Sequence, residues 1–147
     1  MDAQWISALT ALVAVIVSPV VSVYVVKKQI TANVVSVNRQ KWIADLRDQI
    51  SELITLIMFI NLNQAKEEVI LTKFERAYLT ETKINLLINP REKDHIQLTK
   101  LIRSAIEEIF KEKAEKDSKR LIEIRDSIIS LSQDILKREW ERVKTGK

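Results

Sequence analysis

The chain has 147 residues and a formal net charge of +4, with 24 Lys and Arg against 20 Asp and Glu. It contains no cysteine, which excludes disulfide frameworks, thiol catalysis and cysteine-ligated zinc. Glycine occurs once and proline twice, whereas strands joined by tight turns need more of both. The composition therefore predicts an all-α protein.

The first predicted element is an uncharged run of 22 residues from Trp5 to Val26, which ends at Lys27 and Lys28. As an α-helix it would be about 33 Å long, enough for a hydrocarbon core of about 30 Å. A cleaved signal peptide needs a positive n-region, and the first four residues include no Lys or Arg. A buried core helix is the other alternative, but such runs are usually shorter. The run therefore predicts a transmembrane helix.

The distribution of charge predicts the orientation of this helix. All 24 Lys and Arg residues follow residue 26, together with 19 acidic residues. By the positive-inside rule the C-terminal part faces the cytoplasm and the N-terminus faces outward. The mild, interleaved excess suits anionic lipid headgroups better than nucleic acid. We expect residues 1–29 to form the membrane helix and residues 30–147 a cytosolic helical bundle. Residues 30–38 either extend the helix or form a turn.

Four amphipathic helices are predicted after residue 38, because apolar residues recur every three or four positions. A break is expected at Asn61 to Gln64, and Asn89-Pro90-Arg91-Glu92 has the pattern of a capped helix start. Asp117 or Ser118 can cap the last helix. Four helices with about 105 residues in total can enclose one modest core. The principal apolar positions are Trp42, Leu46, Ile50, Leu53, Ile57, Ile60, Phe74, Ile84, Leu98, Ile102, Ile106, Ile109, Leu121, Ile128 and Ile135.

A stripe of small residues runs along the predicted membrane helix. Its members fall within a sector of about 80° at the helical period, and Gln29 continues the stripe past the membrane. In lipid, small residues let helix backbones approach and hydroxyl groups bond across the interface. The stripe predicts an association face or a mildly polar pore wall, although a chance arrangement would look the same. Its members are Ser7, Ala11, Ala14, Ser18 and Ser22.

Pro19 lies beside this stripe. Proline removes the hydrogen bond to the carbonyl of Val15 and tends to kink a helix. A kink at this position could gate a helix bundle, or it could be a proline that the membrane helix simply tolerates. The sequence favours neither reading.

The titratable residues offer little for catalysis. Glu67-Glu68 and Glu107-Glu108 are adjacent carboxylates that point about 100° apart on a helix, which is typical of solvated faces and not of a metal site. Trp42 fits either the core or a membrane interface, and its place on the apolar stripe favours the core. We expect no metal, no cofactor, no small-molecule substrate and no enzymatic activity.

Arg91 and His95, the only histidine, stand four positions apart and would share one helical face. This pair resembles the Arg-x4-6-His signature of the helical HEPN ribonucleases, which cleave RNA at a dimer cleft. The spacing here has three intervening residues, shorter than that signature. The resemblance implies a degenerate HEPN-like bundle in which the pair is vestigial. Local pairing of His95 within its own helix is the simpler alternative.

Two segments carry a wider resemblance, residues 38–47 (NRQKWIADLR) and residues 83–95 (KINLLINPREKDH). They resemble motifs of small bacterial and phage membrane proteins in which one span precedes a cytosolic helical region, a group without assigned chemistry. The layout is also similar to the accessory membrane proteins of type VI CRISPR systems. That similarity implies a divergent HEPN-like bundle and an oligomeric membrane pore that strengthens phage defence.

These observations predict a self-associating inner-membrane protein that acts as a pore or permeabilising effector in antiphage defence. Its expected partners are the lipid bilayer and further copies of itself. The alternative is a membrane-anchored scaffold whose bundle recruits a cytosolic protein partner. A membrane-tethered ribonuclease is a third class.

Overall fold

The structure is a computed structural model that describes residues 3–62, 66–111 and 117–145. The side chains of residues 3–12, 14, 16 and 31 lie outside the described set. Four α-helices follow one another: α1 (Ala3–Leu62), α2 (Glu67–Leu87), α3 (Lys93–Phe110) and α4 (Ser118–Thr145). Every regular element in the described part of the chain is helical, so the predicted all-α fold is confirmed.

The chain divides into two units, residues 1–38 and residues 39–145. In the first unit α1 includes Pro19 within the helix and continues through residues 30–38, so that segment forms no turn. Among the described residues, no helix is both long enough and apolar enough to cross a membrane. The uncharged run contains ten positions whose side chains lie outside the described set. The transmembrane helix therefore stays a prediction.

The second unit is a four-helix bundle formed by α1 from Arg39 onward together with α2, α3 and α4. Contacts at its two ends show that successive helices alternate in direction. At one end Trp42 contacts Leu87 and Arg138 pairs with Asp94, and at the other Asn61 contacts Ser118 and Phe74 contacts Phe110. Short connections favour this antiparallel arrangement, since they leave each helix beside its neighbour in sequence.

One apolar core fills the bundle, and each helix contributes one stripe to it. The stripe of α1 has the spacing expected for one buried helix face, with Leu46, Leu53 and Ile57 nearly inaccessible to solvent. The other helices add the residues that the periodicity predicted. They are Ala77 and Ile84 from α2, Leu98, Ile102, Ala105, Ile106 and Ile109 from α3, and Leu121, Ile128 and Ile135 from α4.

Two predicted helix boundaries are confirmed. Helix α1 ends at Leu62, at the expected break. Asp117 precedes α4, and its Oδ1 accepts a hydrogen bond from the backbone N–H of Arg120 at 2.9 Å. That bond satisfies one of the free N–H groups at the helix start.

The predicted start of α3 is displaced by one turn. Asn89 Oδ1 accepts from the N–H of Arg91 at 3.0 Å, and the Glu92 N–H donates to the Asn89 carbonyl at 3.2 Å. These bonds close a turn in place of a helix start. Helix α3 begins at Lys93, because the side chain of Asn89 stabilises the turn that Pro90 initiates.

We expect Ile128→Ala to lower the free energy of unfolding by about 2 to 5 kcal/mol, because it leaves a cavity in the middle of the core. Ile122→Ala on the same helix is the matched control. Ile122 is 40% exposed, so its loss should cost about 0.5 kcal/mol. Urea unfolding followed by circular dichroism measures both. Equal effects would contradict the position of the core.

Candidate functional site

The polar side chains of the bundle gather at the end where α2 joins α3. Trp42 Nε1 donates to the carbonyl of Leu87 at 2.6 Å, which satisfies one of the free carbonyls at the end of α2. The Trp42 ring stacks near the His95 ring, with centroids 6.1 Å apart. Trp42 packs against the core and is not an anchor on the bundle surface. This end is therefore tied together by an aromatic pair from α1 and α3.

His95 is 2% exposed, and its described hydrogen bond is local. Its Nδ1 accepts a hydrogen bond from the backbone N–H of Asn89 at 2.8 Å. Because Nδ1 is the acceptor, Nε2 carries the proton in the neutral ring. Nε2 has no hydrogen-bond partner, and Glu92 Oε2 lies 3.9 Å away. His95 thus holds the turn between α2 and α3 against the core.

An ion-pair network surrounds this histidine, and we define it by six residues: Arg39, Glu92, Asp94, Arg138, Glu139 and Arg142. Arg138 lies at its centre. Its guanidinium pairs with Asp94 and contacts Glu92 Oε2 at 2.6 Å. Glu139, which is buried, accepts from Arg142 at 2.6 Å and lies 3.7 Å from Arg39. Three acids therefore balance three arginines.

The pKa values of the central pair reflect this arrangement. Burial disfavours the charged form of Asp94, but the hydrogen bond and the positive charge of Arg138 outweigh burial and lower the pKa of Asp94. Burial likewise opposes the charge of Arg138, yet Asp94 raises the pKa of its guanidinium. Both groups are charged at neutral pH, as charge-assisted hydrogen bonds require.

Glu92, Asp94 and His95 are close enough to share a metal ion, with ligand atoms within 4.8 Å of one another. A metal would need the lone pair of His95 Nε2, which carries the proton while Nδ1 accepts from Asn89. Both carboxylates also contact Arg138, whose charge repels a cation. The described polar contacts of these three residues are hydrogen bonds and ion pairs within the bundle.

The predicted stripe of small residues lies in the first unit. Ser18, Ser22 and Gln29 are exposed on α1, and Pro19 is exposed between them. The side chains of Ser7, Ala11 and Ala14 lie outside the described residues, so the stripe as a whole stays a prediction.

Arg91 and His95 do not share a helix. Arg91 is exposed in the turn before α3, whereas His95 is buried in the first turns of α3. The displaced start of α3 separates them. The vestigial role proposed for the pair stays a prediction, and the contacts of His95 are those of the simpler local alternative.

Glu108 corrects one sequence prediction. It was expected on a solvated face, but it is 2% exposed. Lys111 Nζ donates to it at 2.8 Å and the backbone N–H of Asp117 at 2.9 Å, and these bonds lower the pKa of Glu108. Glu108 therefore joins the end of α3 to the start of α4. Periodicity missed it because Glu108 lies at the edge of the apolar stripe, where a charged residue is expected in solvent; its two donors follow three and nine positions later in the chain.

Sequence reasoning also missed the network on α4. The core stripe of α4 passes through Ile128 and Ile135, and at the same spacing it includes Ser132, Glu139 and Arg142. Polar residues at positions that continue an apolar stripe are the signal that could have revealed buried partners.

A groove lies between α1 and α4. We call it the α1/α4 groove. It comprises two adjoining cavities of about 570 and 240 Å³ that share Arg47, Gln133 and Leu136. Apolar side chains line most of it. They are Ile43, Ile50, Ile54, Ile129, Leu136 and Trp140.

We expect Glu108→Gln to destabilise the fold by about 1 to 3 kcal/mol at neutral pH, because two hydrogen bonds to a charged group are weakened. Because the pKa of Glu108 is lowered in the folded state, its charged carboxylate stabilises the fold at pH values above the ordinary pKa of glutamate. This contribution disappears as the pH falls below about 4 through the lowered value. Denaturant unfolding at neutral pH and below about pH 4 should therefore show that the free energies of unfolding of the variant and the wild type differ at neutral pH and converge in acid. Glu107→Gln, beside it and exposed, should change little at either pH.

Comparisons with known proteins identify no relative: no protein-family model, curated protein or solved structure matches the chain significantly. The resemblances drawn from the two sequence segments and from the Arg91/His95 pair therefore stay predictions.

Proposed function

We propose that the chain is a self-associating membrane protein whose N-terminal helix crosses the bacterial inner membrane and lines an oligomeric pore. The observation that supports the proposal most is the exposure of the first unit. Every described large apolar side chain from Val13 to Val26 is between 43 and 70% exposed. A contiguous apolar surface of this length is unfavourable in water and favourable in hydrocarbon.

The charges support the same arrangement. No charged residue occurs between Trp5 and Val26, and Lys27 and Lys28 follow at once. A helix with such flanks crosses the bilayer with its basic end in the cytoplasm. The bundle then lies in the cytoplasm, where its lack of cysteine is without consequence for folding.

Ser18 and Ser22 support association between copies. They are exposed on one side of α1, next to Pro19 and opposite Val20. In a bilayer such hydroxyl groups gain by facing another helix or water, since lipid offers them no partner. A ring of these helices would have a mildly polar interior. An effector of this kind would act in antiphage defence by permeabilising the membrane of the infected cell.

A scaffold is the second candidate, and the α1/α4 groove favours it. An apolar groove between two helices is the kind of surface that receives a third helix. In this reading the membrane helix only tethers the bundle, which recruits a cytosolic protein partner.

The pore proposal predicts release of an entrapped dye from liposomes that contain the purified protein. Ser18→Leu should reduce the release rate at least several-fold, because leucine on the stripe blocks close approach and removes a hydroxyl group. The rate is measured by fluorescence dequenching. Val20→Leu is the control, since it changes the opposite side of the helix and should leave the rate unchanged.

No release by the oligomeric protein, or equal rates for wild type and Ser18→Leu, would overturn the pore proposal.

Replacement of residues 3–26 by an unrelated single-pass helix separates the pore from the scaffold. The pore predicts that protection against phage is lost in the chimera, because the replaced helix supplies its wall. The scaffold predicts that protection is retained, because the bundle is unchanged. Plaque counts on cells that express equal amounts of both proteins provide the measurement.

A further inference from the structure

The α1/α4 groove has a chemical character that its lining residues define. On α1, Gln40, Ala44, Arg47 and Ser51 follow one another by three or four positions along its rim, and all are exposed. Ala44 and Ser51 are small, so a helix backbone could approach α1 closely at two points. The charged residues of the lining are Arg47 and Lys137, both basic. The groove is therefore apolar with a positive rim.

Ser132 is an unpartnered group in this groove. It lines the smaller cavity, is 4% exposed, and its Oγ has no hydrogen-bond partner. A buried hydroxyl without a partner costs free energy that a visiting acceptor would recover. The apolar lining of the groove is therefore uncovered, and the hydroxyl group of Ser132 lacks a hydrogen-bond acceptor.

The outer face of α2 has the opposite character. We call it the α2 face: seven exposed residues that fall within a sector of about 100° at the helical period. Four of them are large and apolar, and Leu86 is 82% exposed. The charged residues on the face are two glutamates. Its members are Glu68, Leu71, Glu75, Tyr78, Leu79, Thr82 and Leu86.

We propose that the α2 face of one copy docks in the α1/α4 groove of the next copy. The apolar side chains of α2 would cover those of the groove, and the two glutamates would meet Arg47 and Lys137. Glu75 would supply an acceptor for the hydroxyl group of Ser132. The inference rests on the self-association proposed above and identifies the surfaces that carry it outside the membrane.

A second copy is the occupant that the chain itself supports, because it carries both complementary surfaces. Each surface exposes apolar area that water penalises, and their charges have opposite signs. Since the α2 face and the groove are different surfaces, each copy can bind two neighbours. Such a head-to-tail contact forms a closed ring when the rotation between copies closes. Copies held in one membrane would also meet at a high effective concentration.

Disulfide cross-linking tests this contact cleanly, because the chain has no cysteine of its own. The full-length protein carrying both Ala44→Cys and Leu79→Cys, in liposomes and under mild oxidation, should give a ladder of multimers on a non-reducing gel. Each single-cysteine variant alone should stay monomeric on that gel. A mixture of the two single variants should give dimers and nothing larger. Leu79→Cys paired with Ile96→Cys, an exposed site on α3, is the matched control and should give no ladder.

Dimers of Leu79→Cys alone would show a symmetric α2 contact and overturn the proposal. No cross-link between the two sites in a protein that is oligomeric by light scattering would also overturn it, while leaving self-association through the membrane helix intact. A monomeric protein would overturn both proposals.

Charge reversal gives an independent readout that does not depend on cysteine. Arg47→Glu and Glu75→Arg should each lower the oligomer fraction in detergent several-fold, and the double variant should restore it. Lys100→Glu, exposed on α3, is the control and should not change it. Failure of the double variant to recover, with both single variants folded, would contradict the pairing of these surfaces.

Discussion

The apolar stripe of α1 from Ile43 to Ile60 is the surface on which the whole bundle depends. Leu46, Leu53 and Ile57 are buried in the one apolar core to which all four helices contribute. In proteins most helical stability comes from tertiary packing of an apolar face, so α2, α3 and α4 are stabilised by this core. The same helix α1 carries a second kind of apolar surface before Arg39, which is exposed on all described sides. Helix α1 therefore carries two apolar surfaces. The bundle buries the one from Ile43 to Ile60, and the one before Arg39 stays exposed.

The apolar core holds the four helices together. Polar contacts at the two ends of the bundle determine which helix ends lie side by side. Trp42 and His95 hold the turn between α2 and α3, and Arg138 joins the start of α3 to the end of α4. At the opposite end Glu108 holds the connection from α3 to α4. These charges range from buried to partly exposed, and desolvation offsets much of the attraction in such ion pairs.

Three described surfaces present apolar side chains that the fold does not cover. The first unit offers apolar side chains to lipid, the α1/α4 groove is apolar with a basic rim, and the α2 face is apolar with two glutamates. Soluble monomers rarely leave this much apolar surface uncovered. The proposed membrane helix and head-to-tail bundle contact would together cover all three surfaces. The two proposals therefore share a common physical basis in uncovered apolar area.

The sequence by itself determined the helices, their apolar stripes, the break after Leu62 and the cap at Asp117, because helical period and capping chemistry are local properties. Only the tertiary structure decided that Glu108, which periodicity placed in solvent, is buried. The partners of Arg138 and the opposed characters of the groove and the α2 face also required the fold. The partners of Arg138 lie 44 and 46 positions away in the chain, and no local pattern records which distant side chains packing will bring together.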